Sequence, residues 1–349
     1  MPDERVEAAI KNWAPRFTSQ GVDYNDFYRT TARVEKWEDW CREWVATGDV
    51  HHDLAEKAEA RRNMVSAGEA YIAAALCYHF GKFVFQDYQD EYMSAANKSV
   101  QTFARGLKLL DATGERVEIP FDGATMVGTL RRPPWAEQPP LVLLLAGLDS
   151  TKEEFFYWEK VFLGRGMATF SLDGPGQGEC GYETCIRPDY EAAVSTVLDE
   201  LTKRPDIDPR RIGLAGVSLG GYYAPRAAAF EPRVKAAVGI CGPWNFAECW
   251  PVLPSLTRAA FQYHSGAKDE DEAISNANKL SLDGAAQKIR QPLLIIQGRL
   301  DRVIPWEQAQ KIVDAVGANA ELAMFENGNH VCNNIPYVYR PLTADWLKE

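Results

Sequence analysis

No apolar run in the sequence approaches the roughly 20 residues needed to cross a bilayer; the short run Leu141–Ala146 is representative of its apolar segments. The N-terminal segment MPDERVEAAIKNW is charged and amphipathic, without the apolar core of a secretory signal, so a cytoplasmic location is expected. Positive charge is in short supply. The 38 Lys and Arg against 49 Asp and Glu leave a formal net charge of −11, which repels nucleic acid and anionic membranes alike. Neither is expected as a partner. The seven cysteines (Cys41, Cys77, Cys180, Cys185, Cys241, Cys249 and Cys332) are odd in number and include no Cys-x-x-Cys pair, which points to reduced thiols rather than a disulfide frame or a zinc site. Histidine is also sparse. Among the five, only His51-His52 are close, and adjacent positions on a helix face different ways, so no metal and no cofactor is expected. No fixed repeat period appears, which excludes a helical solenoid.

What is present is ordinary for a folded chain of 349 residues: 46% hydrophobic and 25% charged. This length suggests two domains, or one large domain with an insertion. Residues 1 to 111 read as a helical domain contributing to a substrate chamber. Val34, Trp37, Cys41 and Trp44 recur on one helical face, Ala60–Phe80 is alanine-rich, and Ala95–Leu110 is amphipathic up to Asp111-Ala112-Thr113-Gly114. Trp37, Trp40 and Trp44 are expected to pack between helices, with ligand stacking as the lesser alternative.

From about residue 112 to 349 the pattern changes to short apolar runs alternating with helical segments. The runs are Arg116–Phe121, Met126–Arg131, Leu141–Ala146, Met167–Leu172, Arg211–Val217, Val234–Ile240, Leu293–Gln297 and Glu321–Phe325. The first two suggest a hairpin around Asp122-Gly123-Ala124; the rest alternate with helices such as Tyr190–Thr202, Leu219–Phe230 and Trp306–Val316. This is the signature of an α/β fold with a mostly parallel eight-stranded sheet, whose chemistry gathers in loops at the carboxyl ends of the strands. Residues 241 to 290 separate two strands by far more than a crossover needs and are expected to form a short lid insertion.

Gly216-Val217-Ser218-Leu219-Gly220 is a G-x-S-x-G sequence. At this composition about 0.07 chance matches are expected, so context must carry the reading. An apolar strand leads into Ser218 and a helix follows it, as a nucleophile elbow requires. A serine nucleophile needs a base, and the base an orienting acid, in the chain order Ser, acid, His. His330, after the last strand, is the expected base; His264 lies in the insertion, ahead of the acid's strand. Asp301, after the run LLIIQG, is the expected acid. Asp173 precedes the serine and is read as a structural turn. Oxyanion donors are expected from Leu219 N–H, directly after the nucleophile, and from Leu148 N–H, in the loop after Leu141–Ala146.

Four motifs together resemble one group within the α/β-hydrolase fold. They are Gly147-Leu148-Asp149-Ser150-Thr151-Lys152-Glu153-Glu154, Asp173-Gly174-Pro175-Gly176-Gln177-Gly178-Glu179, Gly216 to Gly221, and Asn329-His330-Val331-Cys332-Asn333-Asn334. The group is that of the 2,6-dihydroxypseudooxynicotine hydrolases and the fungal hydrolases that shorten pigment polyketides, and the similarity extends over the helical N-terminal domain. It implies hydrolysis of a carbon–carbon bond next to a ketone, without a cofactor, and an additional glutamate from the region after Val234–Ile240. Glu248 is the candidate for that acid, with an ordinary surface glutamate as the alternative. A small-molecule ketone is the expected substrate, and a homodimer is compatible with all of this. The rival readings are a carboxylesterase acting on a bulky ester and a non-catalytic binding protein on the same fold.

Overall fold

The computed structural model describes residues 3–349; Met1 and Pro2, the start of the expected helical domain, lie outside the described residues. The chain divides into two compact units. One comprises the residues up to Gly114 together with Glu153–Tyr157; the other comprises Glu115–Lys152 and Trp158–Glu349.

The first unit is helical: α1 Glu4–Gln20, α2 Tyr24–Thr31, α3 Trp40–Ala60, α4 Met64–Lys82 and α5 Gln89–Leu110. Asp3 caps α1 by accepting from Arg5 N–H at 2.9 Å, and Gly21 ends the helix with a left-handed φ of 113°. The alanine-rich stretch expected from Ala60 starts at Met64, because Arg62 takes a φ of 61° and breaks the chain between α3 and α4. Similarly, α5 starts at Gln89, ahead of the expected Ala95. Phe17 is wholly buried and stacks on Phe80 at 3.9 Å, with Trp44 at 5.1 Å and Trp40 at 6.1 Å; Trp37 in turn stacks on Trp40 at 5.2 Å. The tryptophans are core residues, and rings packed this way contribute roughly 0.5–1.5 kcal/mol per pair beyond their buried area.

One charge cluster lies inside this unit. Glu154 accepts from Arg16 Nε and Nη2, both at 2.7 Å, and its Oε2 is 3.1 Å from His79 Nε2. The Glu154 side chain is 1% exposed and that of His79 is fully buried. Burial alone would raise the Glu154 carboxyl, but the Arg16 charge and hydrogen bonds, with His79, bring it below the usual carboxylate range. Burial lowers His79, which therefore sits neutral as the donor.

The second unit is an eight-stranded sheet of order β1-β2-β4-β3-β5-β6-β7-β8. Its strands are β1 Glu115–Phe121, β2 Ala124–Arg131, β3 Leu141–Leu145, β4 Ala168–Asp173, β5 Ile212–Val217, β6 Val234–Ile240, β7 Leu293–Gly298 and β8 Ala320–Phe325. β1, β2 and β4 run antiparallel in succession, and all other pairs are parallel. The β1–β2 hairpin turns on Asp122 (φ 52°) and Gly123 (φ 86°), the paired left-handed residues that match strand twist. β3, β4 and β7 are buried along their whole length, as parallel strands covered on both faces must be. The region 241–290 forms short helices at Phe246–Cys249, Ser255–His264 and Glu270–Lys279. Asp269 caps the last by accepting from Glu272 N–H at 2.9 Å, so the acidic run Asp269–Glu272 is a helix start. Among the described residues no helix is long and apolar enough to cross a membrane.

Candidate active site

Strand order decides where the chemistry gathers. β3 is flanked by β4 on one side and β5 on the other, so the chain reverses its direction of travel across the sheet there. The loops leaving β3 and β5 part at this point and leave a crevice. The register pairs Leu145 with Gly216, which puts Gly147 and Ser218, each two residues further on, side by side. A methyl group on Gly147 would lie 3.1 Å from Ser218 Cβ and 3.6 Å from its Oγ.

Ser218 has a φ of 55°, the strained conformation of a nucleophile elbow. The flanking glycines are required by close approach. A methyl group on Gly216 would meet Gly220 O at 1.9 Å, and one on Gly220 would meet Leu145 O at 2.1 Å. The helix Gly220–Phe230 starts directly after the turn, with its N-terminal N–H groups beside the serine. Further along the sheet, Asp301 follows β7 and His330 follows β8. His330 Nε2 is 2.9 Å from Ser218 Oγ, and His330 Nδ1 is 2.8 Å from Asp301 Oδ2. Because a carboxylate only accepts, Nδ1 carries the proton and Nε2 is left to accept from the serine hydroxyl. Asp301 Oδ1 accepts from Val303 N–H at 2.8 Å and Ile304 N–H at 2.9 Å, and the side chain is fully buried. The aspartate is thus locked before it meets the imidazole. The structure brings Ser218, His330 and Asp301 together in one hydrogen-bonded line.

The two residues expected to supply oxyanion donors lie in the loops that leave β5 and β3. Leu219 N–H opens the helix after Ser218, and Leu148 follows Gly147. Among the described residues neither N–H donates a hydrogen bond within the protein. Asp173 is structural: Oδ1 accepts from Lys152 N–H at 2.7 Å, and Oδ2 from Lys152 Nζ at 2.9 Å and Glu179 N–H at 3.1 Å. Lys152 Nζ also donates to Glu179 at 2.5 Å. This ionic cluster pins the end of the loop that follows β3.

Glu248 is not brought to this line. It sits on the helix Phe246–Cys249, with its side chain 40% exposed, and Oε2 accepts from Gln308 Nε2 and Lys311 Nζ, both at 2.7 Å. Burial pushes its carboxyl up, but the Lys311 and Gln308 hydrogen bonds outweigh that and lower it. Its engagement with Gln308 and Lys311 favours the alternative reading of Glu248 as an ordinary surface glutamate.

Sequence reasoning passed over several residues. The Cys241 thiol lies within 4.8 Å of the Asp301 and His330 ligand atoms. Burial, then Cys332 and the Asp301 charge, push it well above its ordinary range, so it remains a neutral thiol. Cys241 (φ 49°), Val331 (φ 58°) and Cys332 (φ 52°) join Ser218 in the left-handed region. Four of the seven non-glycine residues with positive φ among the described residues therefore surround the candidate site, at about 1–3 kcal/mol of strain each. Gln297, fully buried, donates to Ile304 O at 3.1 Å and braces the Asp301 turn. Gln177 reaches the loop after β3, donating to Ala146 O and Gly147 O. Its only signal in the sequence was a long amide inside a glycine-rich turn.

An eight-stranded, mostly parallel sheet with a serine elbow after β5, an acid after β7 and a histidine after β8 defines an α/β hydrolase. Residues 17–249 match the family described as esterase FrsA-like, and the chain belongs to it. Residues 154–349 also match the prolyl oligopeptidase family. The chain is 34% identical over 345 residues to 2,6-dihydropseudooxynicotine hydrolase of Paenarthrobacter nicotinovorans, covering 98% of this chain and 92% of that one. It is 37% identical to a 20-hydroxy-prefusarin hydrolase of Gibberella moniliformis, over 66% of this chain and 58% of that one. The solved structure of a 2,6-dihydroxy-pseudo-oxynicotine hydrolase superposes with a TM-score of 0.88 at 33% identity, covering 97% of this chain and 95% of that one.

Proposed function

We propose that the protein hydrolyses a carbon–carbon bond next to a ketone in an aromatic or polyketide-like small molecule. The observation that carries this reading is the likeness to 2,6-dihydropseudooxynicotine hydrolase over nearly the whole chain, together with the hydrogen-bonded Ser218–His330–Asp301 line. In this mechanism His330 Nε2 takes the Ser218 proton as Oγ attacks the ketone carbonyl carbon. The carbonyl oxygen becomes an oxyanion facing the N–H groups of Leu219 and Leu148. Collapse breaks the carbon–carbon bond. The electron pair leaves with the carbon fragment, which takes the proton back from His330, and an acyl group stays on Ser218. Water, deprotonated by His330, then attacks the acyl carbonyl and frees a carboxylic acid. The chain's own residues suffice for every step.

The leaving carbanion is stable only if its charge is delocalised, so a second carbonyl or an electron-poor hydroxylated ring should flank the cleaved bond. The esterase FrsA-like match favours a second reading, carboxyl-ester hydrolysis by the same residues with an alkoxide leaving group. Purified enzyme is assayed on β-diketones and acyl-phenols beside aryl esters, with Ser218→Ala as control. Cleavage of the carbon–carbon bond, lost by several orders of magnitude in Ser218→Ala, is the expected result. Fast ester turnover with no ketone cleavage moves the assignment to the esterase. A cytoplasmic location agrees with seven free cysteines, and assembly as a homodimer is read directly by light scattering.

A further inference from the structure

An oxyanion hole needs its donors, and it also needs the peptide that carries each donor turned the right way. In a trans peptide the C=O and N–H point in opposite directions. The peptide joining Gly147 to Leu148 carries Gly147 O on one side and Leu148 N–H on the other. Gln177 Nε2 donates to Gly147 O at 2.6 Å and to Ala146 O at 2.6 Å. Its side chain is 1% exposed, so no water competes for those carbonyls.

The orientation of this amide is itself fixed. Gln177 Oε1 accepts from Tyr190 O–H at 2.8 Å. Tyr190 is fully buried, and burial, then its neighbour Tyr223, push the hydroxyl well above its ordinary range, so the group remains a donor. With O–H aimed at Oε1, the NH₂ end must face the carbonyls. Tyr190 stacks on Tyr223 at 3.7 Å and 9°, and Gly174 makes room for the hydroxyl, since a methyl group there would meet it at 2.2 Å. The peptide in question lies beside the serine, as the 3.6 Å approach of a Gly147 methyl group to Ser218 Oγ shows.

We infer that Gln177 is a positioning residue for the oxyanion hole. By holding both carbonyls behind the loop, it keeps the Gly147–Leu148 peptide turned so that Leu148 N–H faces the place beside Ser218 where negative charge develops. Tyr190 acts one step further back, by setting the amide. This deepens the proposed function and rests on Ser218 being the nucleophile.

The test uses the full chain with p-nitrophenyl butyrate as substrate, a fluorophosphonate probe and a trifluoromethyl ketone that forms a tetrahedral adduct on serine. Gln177→Leu should lower kcat by about 10²-fold, the usual consequence of losing one oxyanion donor, with KM little changed. Affinity for the trifluoromethyl ketone should fall in parallel with kcat/KM. Tyr190→Phe should cost less, and adding it to Gln177→Leu should cost nothing further. Should Gln177→Leu not accumulate as folded protein, Gln177→Glu keeps the Tyr190 partner. Its carboxylate repels both carbonyls, so its activity relative to wild type should rise as pH falls and the carboxyl protonates. Wild-type kcat in Gln177→Leu, a pH-independent ratio for Gln177→Glu, or a loss confined to KM would overturn the inference while leaving the nucleophile assignment intact. A wild-type protein whose Ser218 the probe does not label would overturn that assignment and the inference with it.

Discussion

Replacing Arg16 by methionine keeps the length of the side chain and removes the charge that Glu154 faces. Arg16 holds both Glu154 oxygens at 2.7 Å, and the two side chains are 13% and 1% exposed. The carboxylate is therefore out of water, with neutral His79 as a further partner. Removing one member of such a pair leaves an uncompensated buried charge, at a cost of about 3–5 kcal/mol. In a unit of this size that is a drop of roughly 10–20 °C in Tm. Removing both members costs far less, because the burial penalty goes with the charge. The Arg16→Met/Glu154→Gln double variant should regain most of the loss, giving a coupling of at least about 2 kcal/mol. The acid limb supplies an independent check. The Glu154 carboxyl sits below its usual value of 4.5 in the folded chain, so its contribution is complete above that value and fades as pH falls beneath it. Glu154→Gln should lack that part of the acid slope. The assay is urea denaturation with thermal melts across pH. A single Arg16→Met variant melting within about 2 °C of wild type, or a double no better than the single, would refute the reasoning.

Glu248→Gln should keep the wild-type ratio of ketone to ester turnover, because its carboxylate is engaged with Lys311; a loss selective for ketone cleavage, measured on paired substrates, would restore it as an acid. A chain starting at Glu115 should be insoluble. It would strand buried Glu154 without Arg16 and His79, and it would strip Phe156 of Phe103; a soluble fragment that a fluorophosphonate labels at Ser218 would contradict this.

The strands were the most legible part of the sequence. β6 spans Val234–Ile240 as expected, and β7 differs from its expected run by one residue, since strands covered on both faces read as unbroken apolar runs. The Ser218, Asp301 and His330 line was readable because chain order and strand ends constrain it. Helix starts were harder. Nothing in the composition around Ala60 announces that Arg62 turns left-handed, so α4 begins later than its alanine content suggests. The role of Glu248 stayed open in the sequence for a related reason: its partners, Gln308 and Lys311, lie about 60 residues away on another element, and only tertiary packing decides which way a four-residue helix faces. Gln177 stayed hidden because its acceptors are backbone carbonyls, which leave no trace in residue type.

The short segment Glu153–Tyr157 makes the helical unit discontinuous in the chain. A ribosome releases residues up to Gly114 first, yet the anion that Arg16 and His79 await is encoded only at position 154, after β1, β2 and β3 have been made. The residues of all five helices precede it in the chain, but their set of charges is incomplete until then. The order of translation thus ties completion of the first unit to synthesis of the second, and no single cut between Gly114 and Glu115 yields two self-sufficient pieces.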